Sequence, residues 1–233
     1  MTLPIIAIRP EPGCTATVAA GAVLGLRIER WPLFEIRARG WDLPPLETID
    51  ALLIGSANAL HHGGPALDRL RDKPVLAVGE VTAAAARARG FAVAMTGTGG
   101  LQSLLDGMAG PVRLLRLAGD DHVSLIVPPA ISVETRIVYA SVALPMPADL
   151  AKVLRTEAVV LLHSGGAARH LADQCARCGV AKGAVEVVAL APRVAELAGG
   201  GWRSVQVADE PSDGALLALA ADLCHVSRSG EGR

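Results

Sequence analysis

One strand–helix–strand pattern occurs twice in this chain, and this repeat limits the possible folds more than any other feature. The copies read ALLIGSANAL at 51–60 with VLAVGEVTAAAARARGF at 75–91, and AVVLLHSGGAA at 158–168 with EVVALAPRVAELAGGGW at 186–202. In each copy a serine follows an apolar run, at Ser56 and at Ser164. Alternating strands and helices predict parallel sheets flanked by helices. The repeat therefore predicts an α/β fold of two similar lobes with a cleft between them.

The length of the chain agrees with two lobes. At 233 residues it exceeds the usual size of one core, and two lobes of about 100 residues each are ordinary domains. The first ~30 residues predict too few strands for a lobe, so the first lobe should be discontinuous. Pro32, Pro44 and Pro45 interrupt a stretch without helical period, which predicts a linker. We predict a first lobe of residues 1–31 and 146–226, a second lobe of residues 46–135, linkers at 32–45 and 136–145, and a disordered tail at 227–233.

Local patterns in the second lobe predict alternating elements. An Ala-rich segment predicts a helix from Thr82 to Arg89, and an apolar run predicts a strand from Val112 to Leu117. The next segment, Asp120 to Val127, predicts a short helix that ends before Pro128 and Pro129.

Composition argues against several classes of partner. Hydrophobic residues make up 51% of the chain, yet no apolar run approaches the roughly 18 residues of a membrane span. A net charge of −1 and an aromatic content of 3% give no basis for binding nucleic acid. The apolar segment Leu3–Ile8 is too short for the core of a signal peptide and predicts the first strand instead. These features predict a cytoplasmic protein.

The cysteine pair Cys175 and Cys178 forms a CxxC motif, which can indicate redox or zinc chemistry. A thioredoxin-type pair opens a helix, where the dipole lowers the thiol pKa. This pair instead closes a predicted helix, with Gly179 as the expected C-cap, and no second CxxC completes a zinc site. We interpret both cysteines as structural.

The loops after the strands are the predicted ligand sites, because ligands of open α/β sheets bind at the carboxyl ends of the strands. Small residues occur there, in Ser56-Ala57-Asn58, in Ser164-Gly165-Gly166 and from Gly79 to Thr82. Their hydroxyl groups can cap the following helices, and free backbone N–H groups can bind anions. Capping alone also explains a serine or threonine after a strand, so both interpretations stay open. The sequence has no GxxxxGK[ST], GxGxxG or HExxH motif, so we expect no nucleotide and no metal.

Six short segments are spread over nearly the whole chain. They are Arg9-Pro10, SANAL at 56–60, AVGEVTAAAARARG at 77–90, LRLAG at 115–119, Tyr139, and the strand–serine–helix pattern at Ser164. In this order and spacing they resemble the uroporphyrinogen-III synthase family. The resemblance implies two α/β lobes joined by a two-stranded linker, with the first lobe discontinuous. One departure is Val194, which stands where the family has a threonine in the second copy of the repeat.

The resemblance also implies a lyase reaction of tetrapyrrole and haem biosynthesis. The family's substrate, the linear tetrapyrrole hydroxymethylbilane, loses hydroxide and closes into a ring with its last pyrrole inverted through a spiro intermediate. Such a catalyst mainly holds a flexible chain in one shape. We therefore expect a monomer that acts on this small molecule without a cofactor.

Candidate site residues follow from the resemblance and from the strand-end loops. Tyr139, the one tyrosine in the chain, is the implied general acid, with packing as the alternative role. Two arginines, Arg9 and Arg116, are candidate partners for substrate carboxylates. The full predicted substrate-binding set is Arg9, Ser56, Ala57, Asn58, Gly79, Thr82, Arg116, Gly119, Ser164 and Gly165.

Two other functions fit the repeated lobes. A two-lobed small-molecule binding protein without catalysis would share the lobes and a hinge. A phosphosugar isomerase-like enzyme is a third, weaker interpretation. A transport receptor would need an export signal and a repressor a helix-turn-helix, and the sequence shows neither.

Overall fold

A computed structural model describes residues 3–229, with side chains up to residue 223. The strands are β1 Ile5–Ala7, β2 Ile28–Arg30, β3 Phe34–Ala38, β4 Ala51–Ile54, β5 Val75–Val78, β6 Val93–Gly97, β7 Val112–Gly119, β8 Ile131–Ala143, β9 Ala158–Leu162, β10 Val185–Ala189 and β11 Ser204–Val207. The α-helices are α1 Gly13–Val23, α2 Ala57–His62, α3 Gly79–Ala88, α4 Gly100–Asp106, α5 Ala148–Leu154, α6 Gly165–Arg177, α7 Pro192–Ala198 and α8 Asp213–Ser229. Short 3-10 turns lie at Leu46–Thr48, Pro65–Leu70 and Lys182–Ala184.

The chain divides into two units, and both contain parallel strands with helices packed on them. The first unit contains the residues up to Glu35 and those from Ala143 onward, and the second contains Ile36–Val142. This architecture confirms the predicted α/β class with parallel sheets flanked by helices.

The first unit has a five-stranded sheet in the order β11-β10-β9-β1-β2, with parallel pairing throughout. Its central strands β1, β9 and β10 are buried on both faces, as expected for a parallel sheet covered by helices. On β9, Val160 belongs to one apolar cluster while Val159 and Leu161 belong to another on the opposite face. The helix α8 continues to Ser229, three residues into the tail that we predict to be disordered, and residues 230–233 lie outside the described part.

The second unit has a six-stranded sheet in the order β3-β8-β7-β4-β5-β6. Its central strands β4, β5 and β7 pair in parallel, and β7 also pairs in parallel with β8. The chain passes from the first unit to the second within β3 and returns within β8, and these two strands are neighbours in the sheet. The backbone N–H of Arg39 donates to the Val138 carbonyl at 2.9 Å just beyond β3.

The connection between β7 and β8 differs from the prediction. We predict a short helix from Asp120 to Val127, but residues 122–128 contain no regular secondary structure. The side chains of Val123 and Ile126 are 71% and 82% exposed, so this segment lacks the buried apolar face that stabilises a surface helix. The prediction of a helix here is wrong.

The CxxC motif lies at the end of α6, as predicted. Cys175 is buried in the helix, Cys178 is its C-cap and Gly179 follows with φ +63°. Burial raises the pKa of the Cys175 thiol to about 11. A raised pKa is the opposite of what a reactive thiolate needs, which supports the structural interpretation.

None of the described helices combines the length and the apolar character needed to cross a bilayer.

Candidate active site

The second unit contains a cavity of about 400 Å³ at the carboxyl ends of its central strands. Ser56 follows β4, Val78 ends β5 and Gly119 ends β7, and all three line the cavity. Arg116 of β7 and Tyr139 of β8 also line the cavity. The cavity therefore lies at the edge where an open α/β sheet binds its ligands.

The missing helix between β7 and β8 explains why this space is open. Parallel strands are usually joined by a crossover helix that covers one face of the sheet. Leu115 and Leu117 of β7 pack on one face, whereas Leu114 packs on the other, next to α4. Because side chains alternate along a strand, Arg116 lies on the same face as Leu114. The irregular connection leaves this face partly uncovered, and the cavity forms over it.

Tyr139 is half-buried, and its ring lies directly against the backbone of Gly119. A Cβ atom built on Gly119 would lie 2.7 Å from Cε2 and 3.0 Å from the phenol oxygen of Tyr139. Only a glycine therefore lets the ring occupy this position without displacement. The structure thus gives Gly119, a predicted substrate-binding residue, a steric role in placing the phenol.

The surroundings of Tyr139 keep its phenol protonated. Burial raises the pKa of Tyr139 above its ordinary value of 10, and the charges of Asp121 and Asp120 raise it further. Interaction with the Ser56 hydroxyl and the positive charge of Arg116 oppose this rise in pKa. At neutral pH the group is a proton donor, the form that a general acid requires.

Arg116 is 4% exposed, and its Nε atom has no hydrogen-bond partner among the described residues. Burial lowers the pKa of its guanidinium, while the neighbouring Tyr139 phenol opposes that change. Arginine keeps its charge in proteins, so the cavity wall carries a positive charge.

Ser56 and Ser164 both cap helices, as the repeat predicts. The Ser56 hydroxyl oxygen accepts from the N–H of Asn58 at 3.2 Å, and the Ser164 hydroxyl oxygen accepts from the N–H of Ala167 at 3.1 Å. The capping interpretation is confirmed at both positions. Of these two serines, only Ser56 lines the cavity, where its hydroxyl also interacts with Tyr139.

Replacing each capping serine by alanine is expected to separate stability from ligand binding. Loss of an N-cap costs about 1 kcal/mol, so Ser164→Ala and Ser56→Ala should each lower the free energy of unfolding by roughly that amount. Ser56→Ala should in addition weaken ligand binding, by about 1 kcal/mol for one lost hydrogen bond. Urea denaturation and titration with the ligand, run on both variants, check this. Ligand affinity in Ser56→Ala equal to that of the wild type would contradict a binding role for Ser56.

Four other predicted residues of the second unit do not line the cavity. Ala57 and Asn58 begin α2, and Gly79 begins α3 with φ +75°. Thr82 is 4% exposed on the core side of α3, and the matching Val194 of the first unit is 8% exposed. Since both positions are buried, exchange of threonine for valine there changes packing rather than a cavity wall.

In the first unit Arg9 is held by an acid rather than left free. Its Nη1 donates to both carboxylate oxygens of Asp213 at 3.0 Å and to Thr17 Oγ1 at 3.3 Å. Thr17 Oγ1 donates to Asp213 Oδ2 at 2.9 Å. His163 Nε2 lies 3.3 Å from Oδ1, an ion-pair distance without aligned hydrogen-bond geometry.

The predicted residue Gly165 packs closely against Leu197, since a Cβ added to Gly165 would collide with the Leu197 side chain. Ser164 lies one residue after His163.

Asp213 was not predicted from the sequence, and neither was His122. Asp213 begins α8, where an acidic residue is favoured by the helix dipole, but its partner Arg9 is 204 positions away. His122 lines the cavity, and its Nδ1 lies 2.9 Å from the Gly119 carbonyl oxygen. Because a carbonyl only accepts, this contact assigns the proton to Nδ1. The sequence signal that could have identified His122 is its position three residues after the LRLAG segment at 115–119.

Removal of the Asp213 charge is expected to destabilise the first unit in a pH-dependent way. Interaction with His163, together with Arg9 and Thr17, outweighs burial and lowers the pKa of Asp213 from 3.8 to about 2. Because the pKa of Asp213 is lower in the folded than in the unfolded state, its charge stabilises the folded unit at pH values above the unfolded pKa. This stabilisation is lost as the pH falls through about 2. Since the side chain is 36% exposed, we expect Asp213→Asn to cost only about 1 kcal/mol at pH 7.

The measurement is the free energy of unfolding of wild type and Asp213→Asn between pH 7 and pH 2, and the difference should shrink below pH 4. Asp149→Asn is the control, because Asp149 forms an exposed pair with Lys152 and its side chain is 75% exposed. A difference that stays constant down to pH 2 would show that the charge of Asp213 is not what stabilises the unit.

No group of three or more His, Cys, Asp or Glu side chains that could hold a metal ion occurs within the described residues.

Comparison with known proteins decides the family. Residues 16–218 match the family described as uroporphyrinogen-III synthase HemD. The chain belongs to the uroporphyrinogen-III synthase family. This match confirms the resemblance seen in the six segments. It also places the protein among the enzymes of porphyrin and haem biosynthesis, which bind a tetrapyrrole, and does not favour a binding protein without catalysis.

A solved uroporphyrinogen-III synthetase shares the fold. A crystal structure of uroporphyrinogen-III synthetase from Helicobacter pylori 26695 aligns with a TM-score of 0.65 and 18% identity, covering 95% of this chain and 99% of that chain. A mutant uroporphyrinogen III synthase from the extremely thermophilic bacterium Thermus thermophilus aligns with a TM-score of 0.47 and 14% identity, covering 96% of this chain and 99% of that chain. Comparison with curated protein sequences gave no match.

Proposed function

We propose that this protein converts hydroxymethylbilane into uroporphyrinogen III, as a lyase that acts in the cytoplasm as a monomer without a cofactor. Hydroxide leaves the terminal hydroxymethyl group and an electrophilic azafulvene remains. The last pyrrole attacks through its substituted carbon, and the resulting spiro intermediate fragments and closes again with that ring inverted. Without an enzyme the chain closes without inversion.

A protonated phenol in the wall of the cavity is the observation that carries this proposal. Departure of hydroxide needs a proton, and the burial of Tyr139 raises its pKa and keeps that proton on the phenol at neutral pH. Tyr139 lines the cavity beside Arg116, the buried cation in its wall. The Tyr139 phenol can give a proton to the leaving hydroxide, and the Arg116 guanidinium can bind a carboxylate. Together they fit a substrate that carries both groups.

Inversion of the last ring is assigned to substrate positioning. We assign carboxylate anchoring to those backbone N–H groups at helix starts that no serine hydroxyl caps. The residues proposed for this task are those predicted from the sequence: Arg9, Ser56, Ala57, Asn58, Gly79, Thr82, Arg116, Gly119, Ser164 and Gly165. Holding the flexible chain in one shape favours closure with inversion over the spontaneous reaction.

The test supplies freshly made hydroxymethylbilane to the purified protein and separates the oxidised products by chromatography. We expect the type III isomer without added metal or nucleotide. A reaction without protein measures spontaneous closure to the type I isomer. Type I product alone, at the spontaneous rate, would contradict the proposal.

A further inference from the structure

Arg116 is a buried cation for which the described part of the chain provides no counter-charge. Arg116 is 4% exposed, and among the described residues its Nε has no hydrogen-bond partner and no acid forms an ion pair with it. Burial of an uncompensated charge is strongly unfavourable, because the surroundings do not replace the water that is removed. Such a residue is expected to receive its partner from outside the chain.

Two other arginines of this chain, by contrast, have acidic partners. Arg113, three residues earlier on the same strand, contacts Asp50 with Nη2 at 2.6 Å from Oδ1. Arg9 contacts Asp213 at 3.0 Å. Near Arg116, Asp120 and Asp121 influence the pKa of Tyr139, yet neither of them pairs with the guanidinium.

The space next to Arg116 has the size of one part of the substrate. A cavity of about 400 Å³ lies near the lower end of the roughly 300–1,000 Å³ typical of pockets that hold one drug-sized ligand. A linear tetrapyrrole with many carboxylate side chains is larger than such a ligand. The cavity can therefore hold one end of the tetrapyrrole, and Tyr139 lines the same space.

We propose that Arg116 determines specificity by binding a side-chain carboxylate of the pyrrole that carries the hydroxymethyl group, beside Tyr139. This inference rests on the proposed function, since it assigns the leaving hydroxide to the ring next to the phenol. The planar guanidinium of arginine presents a fork of donors that matches a carboxylate. A substrate ring without an acid at this position would leave the cation unpaired and bind less well.

The first experiment measures binding without turnover. The probe is a monopyrrole with one acetate and one propionate side chain, compared with its dimethyl ester, on wild type, Arg116→Gln and Arg116→Lys. We expect Arg116→Gln to bind the acid at least about 10-fold more weakly, the effect of losing a hydrogen bond to a charged group, and to bind the ester as wild type does. Arg116→Lys should fall between them, because it keeps the charge but loses the fork.

Arg113→Gln is the matched control, because Arg113 is an exposed arginine on the same strand. It should leave binding of the acid unchanged. The melting temperature without ligand is a second measurement. It distinguishes an arginine that binds ligand from one that only stabilises the fold. We expect the ligand-free melting temperature of Arg116→Gln to equal or exceed that of wild type, and its rise on adding the acid to be lost.

Four outcomes would separate the hypotheses. Equal binding of the acid by wild type and Arg116→Gln overturns the specificity role, and so does a lower ligand-free melting temperature with an unchanged preference for acid over ester. Type III product formed by Arg116→Gln with the wild-type KM leaves the proposed function intact and overturns this inference. An acid preference that depends on Arg116, in a protein that makes no type III product, supports the carboxylate site and contradicts the proposed function.

Discussion

Tyr139→Phe is expected to lower single-turnover rates about 100-fold, the low end of the effect of a positioned general acid. The variant removes the proton donor and keeps the ring that packs against Gly119. The product should remain the type III isomer, because inversion depends on how the chain is held rather than on the proton. The measurement is the single-turnover rate with product isomers separated by chromatography.

Stability and pH dependence provide the controls for this variant. The half-buried phenol interacts with Ser56, so its loss should change the free energy of unfolding by no more than about 1 kcal/mol. Burial raises the phenol pKa, so wild-type turnover that needs the protonated group should stay constant through neutral pH and fall only above 10. An unchanged rate in Tyr139→Phe would show that water or the substrate supplies the proton.

Gly119→Ala is expected to impair both activity and folding. The new Cβ would lie 2.7 Å from one ring carbon of Tyr139 and 2.8 Å from the next, so the ring has to move. Overpacking of this kind typically costs about 1–3 kcal/mol. A displaced phenol should also reduce turnover by up to about 100-fold, as its removal does. Thermal unfolding and single-turnover rates measure the two effects separately.

The matched control is Gly40→Ala in the same unit. A Cβ there meets nothing within 4 Å, and the backbone of Gly40 has no positive φ. It should leave both rate and stability unchanged. Wild-type turnover in Gly119→Ala would mean that the phenol can shift without loss, and the proposed alignment of Tyr139 with the substrate would then be wrong.

Features set by local pattern could be predicted from the sequence. The apolar runs at β4 and β9 form buried parallel strands because each has too many adjacent apolar residues to leave one face in water. The serine after each of these strands caps the next helix, because its hydroxyl lies within reach of N–H groups two or three residues ahead. Such signals lie within about ten residues of the element they specify.

Features that depend on distant partners could not be predicted. Arg9 has the sequence signature of a carboxylate-binding residue, and an acid 204 positions later accepts from its Nη1. Arg116 has no such internal partner among the described residues, and only packing shows the difference between the two arginines. The segment at 120–127 is predicted as a short helix, but burial decides helix formation there, and its apolar residues Val123 and Ile126 are largely exposed.

The strand order of the first unit has a consequence for synthesis of the chain. β1 lies between β2 and β9, and the sheet is complete only when β11 has been made. The second unit is complete at Val142, so it can fold on the ribosome first. At that point β9, which pairs with β1, has not yet been made, and the apolar residues of β1 lack this partner strand. At about 5–20 residues per second, translation from residue 142 to the end of β9 at Leu162 takes on the order of 1–4 s. During that interval β1 is a target for chaperones and for aggregation, so slow codons between β8 and β9 should lower the yield of folded enzyme.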